Sequence, residues 1–359
     1  MIVLSFLFGG FLNFQAARAA TFVSGVISAD TTWTKTESPY VVGNYFEVGE
    51  DATLTIEPGT IVKFNRSRVG VYGKIAASGT EEDKIYFTSF LDDSVGGDTN
   101  GDGSATLPAS GDWQGVNFYS LSTGSQFEYA NVKYGSTNFY LESSDLKITN
   151  SLVSSADDAA IDSNESSLIV QNSVFDNNYY GINTTKGSLV FRDNIFTDND
   201  FPAYVDYETV LENGGNSMFG NKYNGIGLYG HLWRVDFKKT FYKDIPYILF
   251  DSLDVNKNSA VTIEPGVVIK FDDNVGISNY GVLKVAGTEE DPIVLTSLKD
   301  DSYGGDTNGD GDASLPFSDI WDADWDGIYY DQMSHDLELR NVIIKYSHYI
   351  FFGSVDLDI

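Results

Sequence analysis

The 359 residues include no cysteine, only 8 prolines and only 3 methionines. The first absence excludes disulfides, zinc–thiolate centres and thiol catalysis. A chain without covalent staples must find rigidity elsewhere, and a continuous ladder of backbone hydrogen bonds is one source. Basic residues are scarce too: 22 Lys and Arg face 52 Asp and Glu, a net charge of −30 and a pI near 4.1. Such a field repels nucleic acid phosphates and anionic lipid, so neither is expected as a partner, and it draws in cations, divalent ones most. Runs of Ala, Leu, Glu and Lys at helical spacing are missing. Beyond the N-terminal segment no stretch is long and apolar enough to cross a bilayer as a helix.

The chain is 42% apolar, enough to bury a core, with 35 Gly, 22 Tyr and 24 Phe. Together with abundant Asn, Asp, Ser and Thr, this composition suits many short strands joined by turns. Residues 2–14, "IVLSFLFGGFLNF", are almost wholly apolar, and "AARAA" follows. An apolar run ending in small residues reads as a secretory signal peptide over 1–19, cut after about Ala19, although no Lys or Arg precedes it.

The sequence repeats on two scales. "SDLKITNSLV" (144–153), "SSLIVQNSVF" (166–175) and "GSLVFRDNIF" (187–196) share one pattern, with Leu146, Leu168 and Leu189 in equivalent places at steps of 22 and 21. A period near 22 with strand-like units rules out a helical bundle. A leucine-rich repeat would need LxxLxLxxN and a helical half, and has neither here. The remaining reading is a coil of about three short strands per turn, apolar residues piled in inward columns and Asn or Asp at the corners.

On the long scale, "LTIEPGTIVKF" (54–64) returns as "VTIEPGVVIKF" (261–271), Pro39-Tyr40 as Pro246-Tyr247, and "GTEED" (79–83) at 287–291. "GGDTNGDG" at 96–103 returns letter for letter at 304–311, "DWQG" (112–115) becomes "DWDG" (324–327), and Tyr134 answers Tyr346. A module of about 207 residues therefore spans 20–239 and restarts over 240–359. The second copy stops about 90 residues short of the first, so further C-terminal sequence or a covering partner is expected to close the open end.

The strings "SPYVV", "LTIEPGTIVKF", "GGDTNGDG" and "GDWQG", with the "NSVFDNNYYGI" units, resemble bacterial secreted right-handed parallel β-helix proteins of the pectate-lyase-like superfamily. The resemblance implies an all-β solenoid with inserted acidic loops, secreted or at the cell surface. It does not select an activity, because that superfamily holds polysaccharide lyases and hydrolases alongside adhesins and surface proteins without known activity.

Asp98, Asn100 and Asp102 follow D-x-N-x-D-G, the opening of an EF-hand-type calcium loop, as do Asp306, Asn308 and Asp310 in the second copy. Alternate oxygens converge on one point, and Gly103 or Gly311 permits the sharp turn after the third. The backbone carbonyls of Ser104 and Asp312 fall at the seventh position. The twelfth-position glutamate is absent, since Ala109 and Phe317 stand there. The remaining carboxylates must come from the nearest acids: Asp92, Asp93 or Asp112 in the first copy, and Asp300, Asp301 or Asp324 in the second, where Asp312 also has a side chain to give. The alternative is a solvated Asp-Gly turn held by Asx bonds alone. Calcium is favoured because so many carboxylates within a dozen residues repel one another without a cation, and its expected role is structural.

Catalysis on this fold would need carboxylates on neighbouring coils. Asp176 and Asp198, 22 apart, are the candidates for a stacked pair of glycosidase type. The competing reading, a corner turn where Asn and Asp recur for backbone reasons, is preferred. His231, His335 and His348 share no metal-ligand spacing, and no nucleophile elbow, P-loop or dinucleotide fingerprint occurs. Trp113 and Trp325, each beside its loop, are expected as packing anchors. Tyr179-Tyr180 and Tyr329-Tyr330 are candidate sugar-stacking faces. The expectation is a non-enzymatic, calcium-stiffened rod for adhesion or glycan binding. The alternatives are a polysaccharide lyase or glycoside hydrolase, and a structural spacer within a larger surface protein.

Overall fold

A computed structural model describes residues 19–120, 122–231, 236–317, 323–330 and 336–352. The signal-peptide reading of residues 1–19 falls outside them apart from Ala19, as do the last seven residues. The described chain is an all-β parallel solenoid of about 14 turns with rungs about 22 residues apart. Its one short helical element is the 3-10 turn Lys35–Glu37. Among the described residues no helix is long and apolar enough to span a membrane.

Each turn of the first copy lays down three strands on three faces. Face 1 stacks Thr53–Ile56, Lys74–Ser78, Ser125–Glu128, Asp145–Thr149, Ser167–Gln171, Ser188–Arg192 and Val210–Gly214. Face 2 runs through Ile61–Phe64, Ile85–Ser89, Ala130–Lys133, Leu152–Ser154, Val174–Asp176, Ile195–Thr197 and Ser217–Phe219. Face 3 runs through Val69–Val71, Val116–Phe118, Phe139–Glu142, Ala159–Asn164, Tyr180–Thr185, Phe201–Asp206 and Ile226–Tyr229. The pairings along these three faces are parallel and in register, so like positions stack on like.

That stacking builds the core. Leu146, Leu168, Leu189 and Leu211 form one inward column of face 1, and Ile56, Ala77, Phe127, Ile148, Val170 and Phe191 another. Facing them are the columns Val62, Phe87, Val132, Val153, Phe175, Phe196 and Val69, Val116, Phe139, Ile161, Ile182. These residues belong to one apolar cluster that continues through both copies. Burial of each Leu or Phe contributes about 2 kcal/mol, repeated at every turn, which substitutes for the missing disulfides. Where Phe127 stacks on the small Ala77, its ring leans instead on Phe87 and Phe139, with centroids at 5.2 and 4.8 Å.

The corners explain the Asn and Asp content. Asn172, Asn177, Asp193 and Asp198 all hold positive φ, between 51° and 57°. Beside them a buried asparagine ladder runs along the axis: Asn178 Nδ2 donates to Asn199 Oδ1 at 2.9 Å, and Asn199 Nδ2 to Asn221 Oδ1 at 3.0 Å. Every Oδ1 in it also accepts the backbone N–H one rung away.

The two copies do not join face to like face. By sequence, Tyr247, Ile269, Leu295 and Ile344 are the counterparts of Tyr40, Val62, Phe87 and Val132, all on face 2. In the structure they extend face 3 instead: Tyr247 stacks on Ile226, Ile269 on Tyr247, Leu295 on Ile269, and Ile344 on Leu295. The second copy is one hydrogen-bonded coil with the first, turned by one face about the axis.

Candidate metal centres

Each acidic loop is an insertion at a corner of the coil. The first leaves the strand Ile85–Ser89 and returns at Val116–Phe118; the second leaves Ile293–Ser297 and returns at Trp325–Tyr330. Because of the one-face turn, the two project from different edges of the rod.

Within the first loop, Asp98 organises the backbone. Its Oδ1 accepts the N–H groups of Gly101 at 2.7 Å and Asp102 at 3.2 Å, and its Oδ2 accepts that of Gly103 at 2.8 Å. Gly101 and Gly103 have φ of +76° and +73°, a region costly for any side chain. Asp306 does the same for Asp310 and Gly311. The turn brings Asp98, Asp102 and Asp93 together, each offering an oxygen within 4.8 Å of the others, and in the second copy Asp306, Asp310 and Asp301.

Asp93 Oδ1 and Asp102 Oδ1 are buried and without a hydrogen-bond partner, and so are Asp301 Oδ1 and Asn308 Oδ1. Burial first, then the charge of Asp98, pushes the Asp93 carboxyl above its usual range. Burial likewise raises Asp301, Lys270 opposes the rise, and Asp306, Asp310 and Asp312 add to it. Lone acceptors converging without donors suit a hard cation that takes six to eight oxygens.

The other acids proposed from sequence have different work. Asp92 is committed to its own turn: it accepts Thr88 Oγ1 at 2.6 Å and the Ser94 N–H at 3.0 Å. Asp300 repeats this with Thr296 at 2.6 Å and Ser302 at 3.2 Å. Asp112 accepts Ser89 Oγ at 2.6 Å and the Ala109 N–H at 2.9 Å, closing the loop's return. Asp324 accepts the Phe317 N–H at 3.0 Å and pairs with Lys299 at 2.9 Å. These four fix the loop's stems and are outside the cluster. Ser104 and Asp312 follow the turn as exposed residues.

Sequence reasoning missed the lysine beneath each loop. Lys63 and Lys270 lie in the apolar strings "TIVKF" and "VVIKF" and are fully buried. They point outward from the coil, where the folded-back loop covers them. Lys63 Nζ donates to the carbonyls of Asp92 and Gly97, both at 2.8 Å, and Lys270 Nζ to that of Gly305 at 2.6 Å. Burial lowers both amines, Lys270 to about 8. The available signal was a charge kept inside an otherwise apolar strand in both copies.

Trp113 and Trp325 are anchors. Each is buried, stacks on a phenylalanine at 4.0 Å (Phe64 and Phe271), and donates Nε1–H at 2.7 Å to the carbonyl of Lys133 or Lys345. The second loop also reaches back to the first copy. Asn224 donates its N–H to the Thr307 carbonyl at 2.8 Å and Nδ2 to that of Asp306 at 3.2 Å.

The Asp176–Asp198 pair does not stack as its spacing suggests. Asp176 lies in register with Thr197, so Asp198 falls over Asn177 at the left-handed corner position. Burial raises the Asp176 carboxyl, the Asp198 charge adds to that, and Lys133 opposes it. Tyr179 and Tyr180 meet edge to face at 4.6 Å and join Phe201, Tyr204 and Tyr229 in an aromatic strip on the outside of face 3, Tyr204 stacking on Tyr229 at 4.2 Å.

Residues 110–239 match the family described as the right-handed β-helix region. That stretch is a right-handed parallel β-helix. A segment of 52 residues is 42% identical to Protein bark beetle of Drosophila melanogaster, covering 14% of this chain and 2% of that protein, so the chain spans a very small part of this relative. The β-helix is also similar to a solved structure described as the crystal structure of the Agl-KA catalytic domain, at 11% identity and a TM-score of 0.29, over 82% of this chain and 63% of that one. A likeness that slight carries no argument about activity.

Proposed function

We propose that this protein is a non-enzymatic β-helix rod, secreted or held at a cell surface, stiffened by one calcium ion in each acidic loop and used for adhesion through glycan binding. The observation that carries the reading is the repeated set of partnerless oxygens: Asp93 and Asp102 in one loop, Asp301 and Asn308 in the other. Asp93, Asp98 and Asp102 would hold the first ion, and Asp301, Asp306 and Asp310 the second, with Asn100 and Asn308 beside them. A bound ion would cancel the carboxylate repulsion and pin each insertion to the coil. The pectate-lyase-like resemblance, with its secreted members, supports the location. The aromatic strip around Tyr180, Phe201 and Tyr204 supports sugar stacking.

Melting curves with millimolar calcium and with EDTA test the stiffening: calcium raises the melting temperature and EDTA reverses it. No shift removes the cation part of the reading. Incubation with neutral and acidic polysaccharides in calcium tests the rest. Binding without product release is expected, and released oligosaccharide would overturn the non-enzymatic assignment.

A further inference from the structure

The asparagine ladder does not stop at Asn221. The backbone N–H and Nδ2 of Asn221 both donate to Asn224 Oδ1, at 3.1 and 3.2 Å. Asn224 in turn donates Nδ2 to the carbonyl of Asp306 at 3.2 Å and its N–H to that of Thr307 at 2.8 Å. A chain of amides thus runs along the axis of the first copy, through Asn178, Asn199 and Asn221, and ends on the backbone of the second copy's acidic loop.

This contact lies at a break in the coil. Among the described residues one strand pairing crosses from the first copy to the second, Ile226–Tyr229 with Tyr247–Leu249. The described pairings of face 1 end at Val210–Gly214 and those of face 2 at Ser217–Phe219, while Lys238–Phe241 and Leu253–Val255 start sheets of their own. The second loop folds back over this break. Thr307 is fully buried. A Cβ on Gly309 would lie 2.6 Å from the Lys222 carbonyl oxygen and 2.9 Å from that of Asn221, so the loop backbone rests on the turn before the junction. The first loop repeats the same eight residues without that support. A Cβ on Gly101 meets nothing within 4 Å, and Thr99 is partly exposed.

We propose that the second loop is a cation-controlled lock on the junction between the two copies, and that the first loop has no such duty. The lock rests on the reading of both loops as calcium sites and adds to it a difference in affinity and an element that the ion controls. Asp306 shares its cluster with Asp301 and Asp310, and its carbonyl ends the amide chain. An ion that fixes Asp306 therefore also fixes the carbonyl that Asn224 holds. In the other direction, Asn224 and the support under Gly309 order the loop before the ion arrives, so binding has less ordering left to overcome. The coupling is reciprocal: the docked first copy tightens the ion, and the ion tightens the junction. The buried, partnerless Asp301 Oδ1 and Asn308 Oδ1 are the oxygens the ion would satisfy.

Calcium titration calorimetry and amide hydrogen exchange on the full chain test the lock. Wild type is expected to bind two ions whose affinities differ roughly fivefold or more. Asp93→Asn keeps the tighter ion and Asp301→Asn the weaker. Asn224→Ala is expected to weaken the tighter ion roughly tenfold and to leave the weaker one unchanged. Calcium is expected to slow exchange at residues 226–229 and 247–249 in wild type and in Asp93→Asn, but not in Asp301→Asn. That comparison stands even where the Asn224 variant fails to fold. Two ions of equal affinity, a loss on Asn224→Ala shared by both ions or felt by neither, or junction exchange indifferent to calcium overturns the lock and leaves the calcium sites standing. No calcium bound by wild type overturns the lock together with the calcium reading.

Discussion

Tyr247 stacks in register on Ile226, although its sequence counterpart Tyr40 stacks on Val62 of a different face. The turn by one face follows from this single contact and propagates through every later rung. It puts the stems of the two acidic loops on different edges of the rod.

The one-face turn is open to chemical test because the chain has no cysteine. Leu228 and Leu249 are adjacent in-register partners, both fully buried. Neighbouring parallel strands lie about 4.8 Å apart, within disulfide range. The double variant Leu228→Cys, Leu249→Cys is expected to oxidise to an intramolecular disulfide, read as the loss of two free thiols. Persistence of both thiols in the folded, oxidised protein would show that the copies join on another face.

If the loops hold calcium as proposed, an affinity in the extracellular range with about 10 mM free ion is expected to give roughly 1.5–3 kcal/mol of stabilisation per site. Asp93→Asn is expected to remove one site's share, Asp301→Asn the other's, and the two together the whole calcium response. Asp92→Asn, at a carboxylate engaged in its own turn, is expected to lower stability equally with and without calcium. A calcium response that survives the Asp93, Asp301 double variant would refute the assignment of ligands.

The metal-free loops predict an unusual acid response. Asp93 and Asp301 have raised carboxyl pKa values, so the folded state takes up their protons before the unfolded chain does. Their contribution to stability therefore falls as pH rises from the unfolded value near 4 toward neutrality. In EDTA the melting temperature difference between wild type and the Asp93→Asn, Asp301→Asn double variant should widen from pH 5 to pH 7, the variant being the more stable. A difference independent of pH over that interval would remove the claim.

Lys239 is buried at the junction and donates to the carbonyls of Tyr207 at 3.2 Å and Thr209 at 3.3 Å. Burial lowers its amine to about 8, against the partial opposition of Asp206. The folded protein thus releases this proton well before the unfolded chain, and stability rises with pH from about 8 upward. Chemical denaturation between pH 7.5 and 9.5, below tyrosine ionisation, should show that rise. Lys239→Met should reduce the slope, with Lys270 retaining its own share, and leave stability at pH 7 unchanged or higher. An unaltered slope in the variant would show that Lys239 does not titrate there.

The asparagine ladder is a chain of satisfied amides in a dry corner. Asn199→Ala removes the acceptor of the Asn178 backbone N–H and of one Asn178 Nδ2 bond, leaving Nδ2 only the Val153 carbonyl at 3.4 Å, at a cost of about 2–4 kcal/mol. Alanine at the exposed Asn177 corner costs less, since only a left-handed backbone preference is lost. Equal losses at the two positions would remove the ladder's structural role.

The repeat period already carries the fold. Leu146, Leu168 and Leu189 recur at one rung's length, and only a coil lets them stack, so composition and spacing sufficed for the all-β solenoid. The D-x-N-x-D-G pattern likewise marks the loops, because its backbone turn is a local matter of Asp side chains and glycines. The choice among the nearby acids was not legible. Asp92 and Asp93 are neighbours in sequence, yet one turns back to Thr88 and the other faces Asp98. Nor was the Asp176–Asp198 register, since a corner that gains or loses one residue shifts every later pairing by one.

What the sequence determined by itself is whatever repeats at short range: strands, corner residues, inward columns and two acidic loops. The tertiary structure alone decided which loop oxygens are left without partners, that Lys63 and Lys270 are buried under folded-back loops, and that the second copy is turned by one face. Each of these depends on contacts between residues tens of positions apart. Local periodicity sets the pitch of a coil, but only the packing of one turn on the next sets which side chains meet across it.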